Sequence, residues 1–114
     1  MTKQNKSADT LEQGIANMIE AMTDDYVAWD GDPNNWQTVE YRDGFEVTTG
    51  RKYAKVTNRH SVTAFVVLTD TDKKFERGDI LKPAGYATPA RNSARGNVLR
   101  GGYPINWTGP LYLN

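Results

Sequence analysis

The chain has 114 residues, no cysteine and a formal net charge of zero, with 38 % apolar and 11 % aromatic residues. That length fits one domain, residues 1–114, with a modest core burying roughly 60–70 % of the unfolded surface and filled largely by big rings. Lacking cysteine, it can hold no disulfide framework, zinc–thiolate site or cysteine nucleophile, and its longest strongly apolar run, Ala64 to Leu68, is too short to span a bilayer.

The opening ten residues lack the apolar run of a secretory leader, so a cytoplasmic location is expected. Charge is unevenly placed. Residues 1–50 carry ten acids and three bases, whereas residues 51–114 carry eleven bases and four acids. After Asp79 the only charged side chains are Lys82, Arg91, Arg95 and Arg100. Such asymmetry predicts an anion-facing surface, or opposite faces that neutralise each other within the fold or between subunits.

Residues 1–8 read as a disordered polar arm. Thr10 followed by Gln13 forms a capping box, and Leu11, Ile15, Met18, Ile19 and Met22 then recur at helical spacing. The prediction is an amphipathic helix from Leu11 to Met22, with Gly14 inside it marking a close backbone approach. Residues 23–37 read as an acidic surface turn with two tryptophans. They are not a calcium loop, because Asn35 and Tyr41 stand where the glycine and the bidentate acid are needed.

From residue 38 a β pattern is expected. Val39 and Tyr41, then Phe45 and Val47, alternate with polar residues around Asp43-Gly44, a hairpin signal. Tyr53 to Val56 reads as a short strand, and His60 to Thr69, apolar on both faces at its end, as a buried central one. Lys73 to Arg77 is a charged connection, and Gly78 to Leu81 enters a strand that Pro83 ends. Thr88 to Gly96 reads as a short helix: Thr88 the cap, Pro89 the first helical residue, Gly96 the terminator. Residues 97–99, 105–107 and 111–113 are short strand candidates. The fold class is therefore α+β: an N-terminal amphipathic helix packed on a twisted antiparallel sheet or small barrel, with a short late helix.

The late helix carries the candidate site. Arg91 and Arg95, four apart, would share one helical face with no acid between them. Two guanidinium groups so placed grip a phosphate or carboxylate, or reach acids of the first half. Tyr86, Trp107 and Phe65 could stack on a base, and Asn92 or Asn97 could read a base edge. Each ring could equally belong to the core. His60 is the only histidine, and no nucleophile elbow or phosphate loop is present, which argues against an enzyme. No metal or cofactor is expected. Zero net charge and few late bases argue against long duplex DNA.

The stretch Phe75-Glu76-Arg77-Gly78-Asp79-Ile80-Leu81-Lys82-Pro83-Ala84, with Pro89-Ala90, Ala94-Arg95-Gly96-Asn97 and Trp107-Thr108-Gly109, resembles small phage-encoded proteins. Among named families it looks most like the first Thoeris anti-defence family, phage sponges that bind cyclic ADP-ribose-type signals without cleaving them. The resemblance covers about half the chain. It implies a non-catalytic sponge for a cyclic nucleotide-type immune signal, blocking host anti-phage defence as a homo-oligomer with sites shared between subunits. It also implies a paired-arginine site at Arg91 and Arg95 with an asparagine (Asn92 or Asn97) and an aromatic residue (Phe65). The rival expectation is a phage-encoded inhibitor that contacts another protein through the acidic N-terminal half.

Overall fold

The computed structural model describes residues 6–110. The element order is α1 (Leu11–Asp30), α2 (Trp36–Asp43), β1 (Phe45–Thr49), β2 (Tyr53–Asn58), β3 (Ser61–Val67), β4 (Ile80–Leu81), β5 (Ile105–Asn106) and β6 (Gly109–Pro110). This is the expected α+β arrangement of a helix on an antiparallel sheet. The sheet is open, in the order β1-β2-β3-β4, and β5-β6 is a separate two-stranded hairpin. No helix among the described residues is long and apolar enough to cross a membrane.

α1 starts as its capping box predicts: the Thr10 hydroxyl accepts the Gln13 N–H at 3.1 Å. It runs eight residues beyond Met22, to Asp30. The apolar stripe continues through Tyr26, one turn after Met22, so acids at Asp24 and Asp25 do not end the helix. Gly31 ends it at φ 86°, its N–H returning to Val27 O.

A second helix stands where alternation predicted a strand. Asn35 caps α2, its side chain accepting the Gln37 N–H at 2.7 Å. The buried residues are Thr38 and Tyr41, three apart, which is a helical rather than a strand period. Asp43-Gly44 is accordingly not a hairpin turn: Gly44 closes α2, its N–H donating to Tyr41 O, and leads into β1. The β1–β2 reversal instead uses residues 50–53, where the Gly50 N–H donates to Tyr53 O.

β3 is the central strand that its composition predicts, with residues 63–67 buried. On one face Ala54, Val56, Ala64, Val66 and Ile80 pack with Ile15, Met18 and Met22 of α1 and with Val98, Tyr103 and Ile105. On the other, Phe65, Val67 and Leu81 pack with Phe75. Burial on both faces explains the unbroken apolar run.

The predicted helix over Thr88–Gly96 is absent. The two ends of that segment run antiparallel beside β4 and its flanks, and residues 91–94 bulge out between them. The Ala90 N–H donates to Lys82 O, the Arg95 N–H to Ile80 O, and the Ile80 N–H to Gly96 O, while Asp79 and Asn97 form a bridge. So short a helix is unstable alone, whereas the pairing satisfies the outer edge of β4. Residues 6–8 are packed rather than a free arm: the Ala8 N–H donates to Leu99 O, and Gly101 lies against the Lys6–Ser7 backbone. The expectations for residues 1–5 and for a strand at 111–113 lie outside the described residues.

Candidate functional site

Without the late helix Arg91 and Arg95 share no helical face: residues 91–94 bulge between the pairing of Ala90 with Lys82 and that of Arg95 with Ile80. Arg91 is exposed and pairs with Asp72 at 3.0 Å, not with an acid of the first half. It also donates to the Tyr53 hydroxyl and lies 4.9 Å from the centre of the Phe75 ring. The Arg91 hydrogen bond, then the backbone N–H groups of Lys74 and Phe75, hold the Asp72 carboxyl well below its usual range.

Arg95 is only 4 % exposed and lines a cleft of about 500 Å³ with Lys74, Glu76, Asp79, Arg100 and Tyr103. Gly96, Gly101 and Gly102 form part of its wall. Gly101 needs its left-handed conformation, φ 71°, where the chain turns beside Lys6. Lys82 stands near Arg95. Burial, and then the Arg95 charge, lower the Lys82 pKa. Arg100 reaches Glu76 at 2.6 Å and Asp79 at 3.8 Å. Burial raises the pKa of the Tyr103 phenol.

The other sequence candidates divide. Asn92 adjoins the cleft: it is exposed, and its Oδ1 accepts from Arg95 at 3.5 Å. Asn97 lines the cleft but is engaged by the fold. Its Nδ2 donates to Arg77 O and Asp79 Oδ1, and its Oδ1 accepts from the Leu99 and Arg100 N–H groups. It therefore has no amide edge left to read a base. Phe65 is 3 % exposed, inside the second core, edge-on to Tyr53, and offers no face for stacking. Tyr86 is 63 % exposed with the Lys55 ammonium 4.0 Å from its ring centre. Trp107 is half-buried and lines different clefts from Arg95.

Those clefts belong to an aromatic cluster that sequence reading did not assemble. Tyr26 stacks on Tyr41 at 4.3 Å and meets Trp107 edge-on at 5.4 Å, and Trp29 lies 5.1 Å from Trp107. The Tyr41 hydroxyl donates to Trp107 O at 2.6 Å, and Asp25 accepts the Trp107 N–H at 2.9 Å. Burial, then the Asp25 charge, push the Tyr41 pKa up. Helical spacing linking Met22, Tyr26 and Trp29 was the available signal. Lys74 and Arg100 of the Arg95 cleft had no comparable signal, since nothing local ties either residue to Arg95. His60 is exposed and lines a cleft with Arg59 and Trp107. No group of three metal-ligating side chains occurs among the described residues.

Fold and topology define a small α+β protein of the helix-on-sheet type. Within that class the chain belongs to the family of unknown function DUF7717, whose family model matches residues 1–112. No curated protein and no solved structure matches it.

Proposed function

We propose that this protein is a non-catalytic sponge that holds a small anionic, cyclic nucleotide-type ligand in the Arg95 cleft. The observation that carries the reading is the convergence of Lys74, Arg95 and Arg100 on one cleft of about 500 Å³ with a glycine-rich wall. That volume falls in the range of small-molecule sites, about 300–1,000 Å³. Backbone at Gly96 and Gly101–Gly102 admits close approach of a phosphate. Arg95 is pre-positioned by burial, so little side-chain freedom is lost on binding. Arg100 and Glu76 are both largely exposed. Pairs of that kind are worth about 0–1 kcal/mol, so a phosphate competes for Arg100 at small cost. The cleft has no histidine or cysteine among its lining residues, which favours retention of an intact ligand over turnover.

Combined with the resemblance, the reading is a phage protein acting in the infected host's cytoplasm to withhold an immune signal, as a homo-oligomer. Arg91 and Asn92 adjoin the lip, since Lys74 Nζ donates to Arg91 O at 2.6 Å. Calorimetry against cyclic ADP-ribose isomers and cyclic di- and trinucleotides tests it. Binding that Arg95→Ala/Arg100→Ala weakens by more than about tenfold, with intact ligand recovered on heating, is the expected result. Cleaved ligand would make the protein an enzyme, and failure to bind any of these ligands would remove the reading.

A further inference from the structure

Two carboxylates, Glu76 and Asp79, stand among the described lining residues of the Arg95 cleft. Asp79 belongs to the fold. It is only 6 % exposed, and its Oδ2 accepts the Glu76 N–H at 2.9 Å. Its Oδ1 accepts Asn97 Nδ2 at 2.9 Å, and the same Nδ2 donates to Arg77 O. These bonds tie the 76–79 turn to the 97–101 turn.

Glu76 is different. Its side chain is 68 % exposed, and its polar partner among the described residues is Arg100, at 2.6 Å. That pair joins two turns already joined through Asp79 and Asn97, and exposed pairs add little stability. Within a cleft of three bases, such an acid weakens the hold on any anion. The fold nevertheless fixes it there. The Glu76 N–H donates to Asp79, and the Asp79 N–H donates to Glu76 O at 3.0 Å. With its backbone held in both directions, the carboxylate can swing off Arg100 but cannot leave the cleft wall.

A phosphate that takes Arg100 replaces Glu76 Oε2 and lies within a side chain's reach of the displaced carboxylate. The phosphate's own charge then decides the outcome. A diester carries one negative charge, whereas a terminal phosphate carries about 1.5 to 2 near neutral pH. Like charges held so close repel, and specificity is often built from such repulsion. Resting on the reading of the Arg95 cleft as the ligand site, we infer that Glu76 sets the ligand class: the cleft takes phosphodiesters and rejects ligands that end in a terminal phosphate. A ring-closed nucleotide is held, and its opened, linear form is released.

The test is calorimetry of the full chain with two probes: cyclic di-AMP, and the linear dinucleotide of the same bases with a terminal 5′-phosphate. The unaltered protein should prefer the cyclic probe by about tenfold or more. Glu76→Gln should tighten binding of the linear probe about tenfold. It should tighten the cyclic probe about fivefold or less, the most that an exposed pair is worth. Glu76→Asp keeps the charge and should keep the preference. Added salt should narrow the preference in the unaltered protein, since screening weakens the repulsion. Equal gains for both probes in Glu76→Gln would mean that Glu76 merely occupies Arg100, which overturns the inference and leaves the sponge reading standing. An unaltered protein that does not distinguish the probes has the same consequence, as does a Glu76→Gln variant no tighter for the linear one. Binding of neither probe to any of the three proteins removes the inference together with that reading.

Discussion

Asp72 shows how one side chain can tie a loop to a distant segment. Its carboxylate accepts from Arg91, from the Lys74 N–H at 2.8 Å and from the Phe75 N–H at 3.0 Å. The charged form is therefore favoured in the folded state, and the folded pKa lies below the unfolded one. A group of this sign stabilises fully above its unfolded pKa, about 3.9, and loses that contribution as pH falls through the folded value. Thermal midpoints measured from neutral pH into acid should show the effect. Asp72→Asn should lower the midpoint at neutral pH and reduce its dependence on pH below about 4. Equal acid slopes in both proteins would mean that the pair contributes nothing. Asn97 makes the complementary point: an amide suited to reading a base is fully occupied in holding the 97–101 turn to Asp79 and Arg77.

At the scale of elements, α1 is fixed by what it touches rather than by its own propensity. Gly14 is buried where α1 crosses the 97–100 turn. A Cβ there would stand 2.7 Å from Val98 O and 2.9 Å from Val98 Cβ. Gly14→Ala gains about 1 kcal/mol of helix propensity but incurs an overpacking cost of about 1–3 kcal/mol. The clash is with backbone oxygen, which cannot turn away, so we expect net destabilisation, measured by urea unfolding. A more stable Gly14→Ala would mean that the two backbones separate easily. The C-terminal half of α1 carries Asp24, Asp25 and Asp30 with no base in its last turn, against the helix dipole. Two of these acids have structural uses: Asp25 accepts from the Trp107 N–H, and Asp30 accepts from the Thr38 hydroxyl at 2.9 Å. They bind the β5–β6 hairpin and α2 to the helix.

At the scale of the whole molecule, the acids are concentrated in residues 1–50 and the bases after them. Among the described ion pairs only Arg59–Glu40 joins residues 1–50 to the remainder. Arg91 and Arg100 pair instead with Asp72, Glu76 and Asp79 of their own half. The protein thus has net charge zero with its acids and bases unevenly placed along the chain. Light scattering near neutral pH should show attraction between molecules at low salt. That attraction should fade as the Debye length shortens to about 8 Å at 0.15 M. Salt-independent scattering would mean that the acids and bases are too mixed in space to orient neighbouring molecules.

The features legible in sequence were those with local causes. The α1 cap, its apolar stripe, the close approach at Gly14 and the doubly buried β3 follow from neighbours within a few residues, and so does the α+β class. The misread elements were those whose partners lie far along the chain. Residues 88–96 carry good helix caps, yet their backbone pairs with residues 80–85, because a two-turn helix is unstable alone and the pairing satisfies the open edge of β4. Val39 and Tyr41 alternate like a strand, yet Thr38 and Tyr41 face the core on a helix, where Tyr26 stacks on Tyr41 and Trp107 meets it edge-on. The candidate site followed the same division. Sequence alone placed the basic cluster late in the chain and paired Arg91 with Arg95. Only the tertiary structure decided that Arg91 turns to Asp72, that Phe65 and Asn97 belong to the interior, and that Lys74 and Arg100 join Arg95. Side chains far apart in the chain meet only when the sheet brings their backbones together, and no local pattern encodes that meeting.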